Sequence, residues 1–277
     1  MIAVALALAV TATDKVDVRP VADLTISGIA AAAWLFPEIF QQQLAPAHCR
    51  ICDGADNSGL PGTGSADGLN GVDAWFHDAT VGWLVSRKTA DTASNVWAYL
   101  LAPLGAAAGA WTTTGPYATE GAGYRAMAIV GESAVVSGAL VQAFKFTLAR
   151  KRPFVRYGTG ETSGTYDVND AGSRLGMPSG HTAFVTSLGV SLAMTATLQE
   201  SQAAPWLWAG AAVASVATGM LRMMAEKHYF TDVLFGAAIG GASGTVIPLL
   251  HRRGGPLSSE GMSLAPQGGG FALSGRF

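Results

Sequence analysis

The stretch MPSGHTAF, residues 177–184, stands directly before a long run of uncharged residues. Pro178 cannot continue a preceding helix, Ser179 is a preferred N-cap residue, and Gly180 allows another group to approach the backbone closely. The stretch therefore predicts a helix that begins near Ser179 and presents free backbone N–H groups, which suit an anion. Helix capping alone explains the serine, but it gives no reason for His181 in the first turn.

The composition of the chain favours a lipid environment. Of its 277 residues only 13% are charged, about half the share usual for soluble domains. The 17 basic and 19 acidic residues nearly cancel, which gives no indication of a nucleic-acid partner. A soluble Ala-rich helical protein remains an alternative, because several apolar runs consist of Ala, Gly and Thr rather than Leu and Ile.

Long apolar runs recur along the chain and predict an all-α fold. Five of the six runs reach the roughly 18 to 20 residues that a bilayer crossing requires, and no alternating strand pattern competes with them. We therefore expect a helical bundle with five or six membrane-spanning helices. The runs are residues 24–37, which is the short one, 92–119, 126–144, which only Glu132 interrupts, 182–199, 201–221 and 233–250.

The two ends of the chain differ from this pattern. The start, MIAVALALAVTATD, is typical of a secretory signal with cleavage after Ala12, so residues 1–12 are a possible signal peptide, although an ordinary apolar N-terminus is the alternative. The tail, residues 254–277, is rich in Gly and Ser, and its last residues predict a small hairpin.

Two polar segments lie between the first apolar runs. Residues 53–73 are dense in Gly, Asp and Ser and predict a surface loop. Residues 72–85 predict an amphipathic helix at an interface or, equally, a helix packed on a core. Cys49 and Cys52 form a lone C-x-x-C motif. In an exported protein a local disulfide is expected, with reduced thiols or a redox role as alternatives.

Two further stretches concentrate polar residues at the ends of apolar runs. In KFTLARKRP, Lys145 and Arg152 precede Pro153, although basic residues after a spanning helix are also ordinary cytoplasmic anchors. In RMMAEKHYFTD, residues 222–232, a histidine and an aspartate are four apart. On a helix His228 and Asp232 share a face, so the carboxylate can accept the imidazole N–H. The alternative is a salt-bridged surface histidine with solvated neighbours, Glu226 and Lys227.

The three stretches together propose a chemistry that none proposes singly. They supply three cations, a helix start rich in N–H donors and two histidines, one of which has a carboxylate partner. Fixed cations and oriented N–H groups are what a transferring phosphoryl group needs. No carboxylate cluster or Cys/His ligand set for a metal accompanies them in the sequence.

These residues resemble a known family. The patterns Lys145-x6-Arg152-Pro153, Pro178-Ser179-Gly180-His181 and Arg222-x5-His228-x3-Asp232 are similar to the three-part signature of the type 2 phosphatidic acid phosphatase superfamily. That superfamily includes lipid phosphate phosphatases, bacterial acid phosphatases and vanadium haloperoxidases. The chain departs from the usual pattern at Leu221, where the family usually has Ser. The resemblance implies the helical bundle of the superfamily, with a phosphatase domain over residues 22–252.

The resemblance also implies roles for individual residues. His228 would attack phosphorus and form a phosphohistidine, with Asp232 orienting it, and His181 would protonate the leaving group. The phosphoryl oxygens would be bound by Lys145, Arg152, Ser179, Gly180 and Arg222. No metal or other cofactor is expected.

The implied activity leaves the substrate and the location open. The leading hypothesis is a lipid phosphate monoester or pyrophosphate as substrate, hydrolysed in a bacterial cell membrane by a site that faces the periplasm. Residues 251–253, HRR, follow the last apolar run and would mark the cytoplasmic side. The alternatives are a soluble periplasmic acid phosphatase and a haloperoxidase with bound vanadate. The sequence does not determine the oligomeric state.

Overall fold

The structure is a computed structural model that describes residues 15–52, 69–114, 119–258, 263–267 and 270–274. The possible signal peptide and most of the predicted loop at residues 53–73 lie outside these ranges. The described chain is predominantly helical, as the apolar runs predict. Its α-helices are α1 Pro20–Ile39, α2 Gln41–Leu44, α3 Gly71–Thr80, α4 Arg87–Val96, α5 Ala102–Gly109, α6 Ala122–Leu148, α7 Pro153–Arg156, α8 Gly180–Leu198, α9 Ala204–Met224 and α10 Phe230–Leu250.

Five of these helices, α1, α6, α8, α9 and α10, are long and apolar enough to cross a membrane. The sequence predicts five or six membrane-spanning helices, and the described residues contain five helices that are long and apolar enough. The predicted span at residues 92–119 is not among the five. It does not form one long α-helix, because α4 passes into a π-helical turn, Trp97–Leu101, before α5 begins. The short first run, in contrast, lies within a 20-residue helix, since α1 begins at Pro20.

The first and fourth of these helices leave apolar side chains uncovered. Only 11% of the most apolar window of α1 and 17% of that of α9 are buried in the protein. Trp206 and Val21 are about four-fifths exposed. A water-facing helix would place polar residues at such positions, so these faces fit contact with lipid.

Helix α8 lies at the centre of the bundle, against α6, α9 and α10. Glycines let α10 approach it closely, since a Cβ atom at Gly236 would lie 2.4 Å from the carbonyl oxygen of Ser179 and one at Gly240 would lie 2.3 Å from that of Ala183. Such small residues let helix backbones pack directly in membrane proteins. A hydrogen bond between the Ser133 and Ser191 hydroxyls, 2.9 Å long, joins α6 to α8.

Two predictions outside the bundle are confirmed. Cys49 and Cys52 form a disulfide, and the segment that contains them pairs with the chain after α6, where Ile51 and Arg150 form a parallel bridge. The tail contains the predicted hairpin, with β1 Ser263–Gln267 antiparallel to β2 Gly270–Ser274. The amphipathic segment at residues 72–85 is represented by α3, which is shorter than the prediction.

Candidate active site

The three predicted motifs meet at one end of the bundle, around a cavity of about 470 Å³. The end of α6, the start of α8 and the end of α9 all point to this region. Six of the eight predicted site residues line the cavity, namely Lys145, Arg152, Gly180, His181, Arg222 and His228. The other two, Ser179 and Asp232, are fully buried behind its wall.

The start of α8 is attached to the start of α10. The Ser179 N–H donates to the carbonyl oxygen of Asp232 over 2.9 Å, and the Ser179 hydroxyl contacts the Thr182 hydroxyl at 2.9 Å. Ser179 occupies the N-cap position, but its side chain makes no capping hydrogen bond to the backbone. The prediction of the helix start is thus confirmed, while the predicted side-chain cap is absent. The Lys145 ammonium lies near Gly180, 3.5 Å from the position of a Cβ atom there.

His228 is held differently from the sequence prediction. Its Nδ1 atom lies 2.6 Å from the Gly176 carbonyl oxygen and 3.8 Å from Oδ2 of Asp232, so the direct hydrogen bond to the carboxylate is absent. The reason is that α10 begins at Phe230 and His228 precedes it, so the four-residue helical spacing does not apply. A carbonyl oxygen only accepts, so Nδ1 carries the hydrogen and Nε2 keeps its lone pair.

The Asp232 carboxylate belongs to a buried charge network. Its Oδ1 atom accepts from Arg150 at 2.7 Å, and its Oδ2 atom accepts the Tyr229 N–H at 2.9 Å. Arg150 also donates to Asp73 of α3 at 2.9 Å. Burial would raise the pKa of Asp73, but hydrogen bonds from Thr231 and Arg150 outweigh it and lower that pKa. The network fixes the first turn of α10 and places the Asp232 carboxylate beside His228.

Helix α4 supplies partners that the sequence analysis missed. The Arg222 guanidinium donates to Asp91 at 2.7 Å and to the Ser94 hydroxyl at 2.9 Å. Nε2 of His181 lies 2.6 Å from Oδ1 of Asn95. The three α4 residues share one helix face through their spacing of three and four. That spacing of polar side chains at the start of an apolar run is the signal that could have found them.

The surroundings of Arg152 determine the charge states of Arg152 and of its neighbour His228. Its Nε atom donates to the Gly172 carbonyl oxygen at 2.6 Å. Burial, together with the charge of Arg222, lowers the pKa of Arg152 to about 10, so it still carries its charge at neutral pH. Burial and the neighbouring cations, Arg152 first, lower the pKa of His228 well below its ordinary value, which keeps this ring neutral.

The alternative of a surface histidine with solvated neighbours does not hold, because Glu226 and Lys227 are buried. Both are buried, because the turn after α9 folds under α7 and the chain around Tyr166. The Lys227 ammonium donates to the Thr165 carbonyl oxygen and lies 3.9 Å from the centre of the Tyr166 ring. The Glu226 carboxylate contacts His77 at 3.1 Å and the Thr159 hydroxyl at 2.7 Å.

The arrangement can bind a tetrahedral anion between two imidazoles. Lys145, Arg152 and Arg222 supply positive charge, and the start of α8 supplies backbone N–H groups that carry the positive end of the helix dipole. Within the described ranges, the one group of three His and carboxylate side chains close enough to hold a metal ion lies elsewhere, at Asp23, Glu132 and His251. The fold and the cavity thus define a helical-bundle protein with a cationic cavity whose lining suits a phosphate-like anion.

Comparison with known families identifies the class more closely. Residues 126–255 match the family model described as the PAP2 superfamily, and this range contains all eight predicted site residues. The match covers slightly less than half of the chain and is consistent with a type 2 phosphatidic acid phosphatase-like protein. The superfamily includes phosphatases, which supports a phosphatase-type function in general. Comparisons with curated proteins and with solved structures gave no match.

Proposed function

We propose that the protein is a membrane phosphatase that hydrolyses a lipid phosphate monoester or pyrophosphate through a phosphohistidine intermediate on His228. The observation that carries this proposal is the composition of the cavity. One part of its wall is cationic, with Lys145, Arg152 and Arg222, and another part is apolar. The apolar part consists of Trp34, Leu35, Val141 and Phe184.

In the first step, Nε2 of His228 attacks phosphorus while Nδ1 keeps its hydrogen bond to Gly176. The bond between phosphorus and the leaving oxygen breaks, and His181 gives its proton to that oxygen. The three cations and the start of α8 stabilise the charge that develops on the phosphoryl oxygens. The Asp232 carboxylate stabilises the positive charge that His228 acquires on phosphorylation.

In the second step, water attacks the phosphorus of phosphohistidine. His181, which is now neutral, accepts a proton from this water, and the bond between phosphorus and Nε2 breaks. Inorganic phosphate leaves, and His228 and His181 regain their starting states. Asn95, 2.6 Å from Nε2 of His181, orients the ring for both proton transfers. The fixed cations do the work that a metal ion performs in other phosphatases, so no metal takes part in these steps.

The position of the apolar wall supports a lipid substrate. Trp34 and Leu35 lie on α1, and Phe184 lies on α8, two of the helices that are apolar enough to cross a membrane. A second cavity, of about 360 Å³ and mainly polar lining, shares Arg152 and Arg222 with the first. The phosphate would thus lie between a wall that suits acyl or prenyl chains and a polar space that suits a headgroup and water.

The charge at the opposite end of the bundle supports an active site on the outer face of the membrane. Backbone contacts there join the segment before α1 to the segment after α10, as in the hydrogen bond of 2.8 Å from the Arg253 N–H to the Lys15 carbonyl oxygen. Positive residues collect on the cytoplasmic side of membrane proteins. The basic residues at this end are Lys15, Arg19, Arg125, Arg252 and Arg253. In a Gram-negative cell the phosphate cavity would then face the periplasm.

The test compares a lipid phosphate in detergent micelles with a small soluble phosphate ester. Trp34→Leu removes part of the apolar wall, and Trp206→Leu, on the exposed face of α9, is the matched control. We expect Trp34→Leu to lower kcat/KM for the lipid about tenfold, as a loss of about 1.4 kcal/mol of apolar contact predicts. The rate on the soluble ester should change little, and the control should resemble the wild type.

Two outcomes would contradict the proposal. Absence of phosphate release across a panel of phosphatidate, prenyl pyrophosphate and lipid A would exclude the lipid phosphatase. Equal losses on lipid and soluble ester in Trp34→Leu would favour the soluble acid phosphatase alternative. Bromide oxidation in the presence of vanadate and peroxide would favour the haloperoxidase alternative.

A further inference from the structure

Three buried ionisable side chains meet at the end of the bundle opposite the phosphate cavity. Asp23 lies in the first turn of α1, Glu132 lies in α6, and His251 directly follows α10. One ligand atom from each lies within 4.8 Å of the others. Asp232 and His251 stand at opposite ends of α10, about 28 Å apart at about 1.5 Å per residue. The cluster is therefore separate from the site described above.

His251 is oriented as a metal-binding histidine is. Its Nδ1 atom lies 2.9 Å from the Ile247 carbonyl oxygen, which accepts the Nδ1 hydrogen. The lone pair of Nε2 is then directed at the two carboxylates. Histidine ligands of metals usually donate their second ring N–H to such an acceptor, which fixes the tautomer. His251 is fully buried, although it belongs to the basic segment HRR that follows the last apolar run.

Asp23 is oriented in a comparable way. Its Oδ2 atom accepts the Arg19 N–H at 2.7 Å, before the start of α1. Its Oδ1 atom is thereby turned toward the cluster, where it lies 3.3 Å from Nε2 of His251. The arrangement resembles the outer hydrogen bonds that hold carboxylate ligands in metal sites.

The atoms that face the centre of the cluster lack hydrogen-bond partners within the part of the chain that the structure describes. They are Oδ1 of Asp23, both carboxylate oxygens of Glu132 and Nε2 of His251. Glu132 is 98% buried. Buried polar atoms are nearly always hydrogen-bonded, and a buried carboxylate without a partner is especially costly. Three such side chains at one point form a set of buried donor atoms that is suited to a ligand.

A protonated His251 does not satisfy the cluster. Its Nε2 atom carries one hydrogen, which can reach Oδ1 of Asp23 at 3.3 Å but not also both oxygens of Glu132. The distance from Nε2 to Oε2 of Glu132 is 3.7 Å. With a neutral imidazole and both carboxylates deprotonated, as metal ligands are, the cluster would carry two negative charges, which a single divalent cation would balance.

The spacing of the ligand atoms fits a tetrahedral metal ion. Zn²⁺ binds imidazole nitrogen and carboxylate oxygen at about 2.0 to 2.2 Å, which separates neighbouring ligand atoms in a tetrahedron by about 3.4 Å. The observed separations of 3.3 and 3.7 Å agree with this value. Ca²⁺ and Mg²⁺ require six or more ligands and mainly oxygen, so they fit less well.

We propose that Asp23, Glu132 and His251 form a structural site for a divalent transition-metal ion, with Zn²⁺ as the best-fitting ion. Its ligands come from α1, α6 and the end of α10, so the ion would join three helices. Helix α1 gains most from this link, because little of its surface packs against the rest of the protein. The same helix carries Trp34 and Glu38 of the phosphate cavity.

The test measures metal binding by the full chain in detergent. Chelator-treated protein is titrated with Zn²⁺ against a chromophoric chelator, and the bound metal is counted by mass spectrometry. We expect about one Zn²⁺ per chain and a higher melting temperature with Zn²⁺. Glu132→Gln and His251→Gln should each weaken Zn²⁺ binding at least tenfold. Glu200→Gln, which changes an exposed carboxylate, should bind as the wild type does.

Wild-type protein that binds no Zn²⁺, or a Glu132→Gln variant that binds Zn²⁺ as tightly as the wild type, would overturn the proposal. If the variants do not fold, Co²⁺ in the wild type decides the question. Tetrahedral Co²⁺ with nitrogen and oxygen ligands gives strong visible absorption bands. Their appearance with one equivalent of Co²⁺ supports the site, and their absence overturns it.

Discussion

Asp232→Asn tests whether a carboxylate acts on His228 through its charge rather than through a hydrogen bond. Oδ2 of Asp232 lies 3.8 Å from Nδ1 of His228, while Gly176 accepts the Nδ1 hydrogen. Unit charges about 4 Å apart interact by about 4 kcal/mol at an effective dielectric constant of about 20. Arg150, 2.7 Å from the other oxygen, offsets part of this interaction. We therefore expect a loss of about 2 to 4 kcal/mol of transition-state stabilisation.

This loss corresponds to a fall of about 30- to 1,000-fold in kcat, with a small change in KM. The assay is steady-state phosphate release from a lipid phosphate in detergent micelles. Asp73→Asn is the matched control, because it removes the other carboxylate on Arg150 without changing the charge beside His228. It should lower the melting temperature but reduce kcat much less. A kcat of Asp232→Asn within twofold of the wild type would refute the electrostatic role.

Four further predictions follow from the same geometry. EDTA should leave the initial rate of phosphate release unchanged. Vanadate, which mimics five-coordinate phosphorus, should inhibit phosphate release. A rate that falls as soon as EDTA is mixed in would contradict the metal-free chemistry. His228→Ala should reduce kcat by about 10⁴-fold or more, because no other nucleophile takes its place, and a variant with wild-type turnover would exclude the phosphohistidine. Asn95→Ala should lower kcat about tenfold and shift the pH profile of kcat, because it frees the ring of His181; an unchanged profile would mean that the contact does not orient the ring. Burial, with the charge of Arg152, lowers the pKa of Lys227 from its usual 10.5 to about 7. Between pH 7 and pH 10.5 the unfolded chain then binds more protons than the folded one, so the free energy of unfolding should rise with pH in this range. Lys227→Met should flatten the corresponding rise in melting temperature.

Much of the site could be predicted from local sequence because its residues stand at helix ends. Pro178 and Ser179 define where α8 begins, and the apolar run after them places the cavity beside the end of α6. The disulfide and the hairpin were also predictable, since each joins residues that are close in sequence. The prediction for Asp232 was wrong in one respect, because the exact start of α10 decides whether it can reach His228.

The hydrogen-bond partners that distant segments supply to the site residues could not be predicted from local sequence. Asp91 and Asn95 lie at the start of an apolar run, and their contacts with Arg222 and His181 exist only because α4 packs beside α9 and α8. The meeting of Glu132 with His251 likewise depends on helix packing and on the position of α1. A sequence reveals that a charged residue interrupts an apolar run, but the packing alone identifies its partner.

The glycines of α10 carry a consequence for catalysis. Gly236 and Gly240 have no polar atom in the site, yet the contacts at these two residues set how far α8 stands from α10. Helix α8 carries His181, and the chain just before α10 carries His228. A methyl group at Gly236 would force the backbones apart and widen the gap that the reacting phosphorus must span. The distance between the His181 and His228 rings is therefore controlled at two glycines, about one and two helical turns along α10 from Asp232.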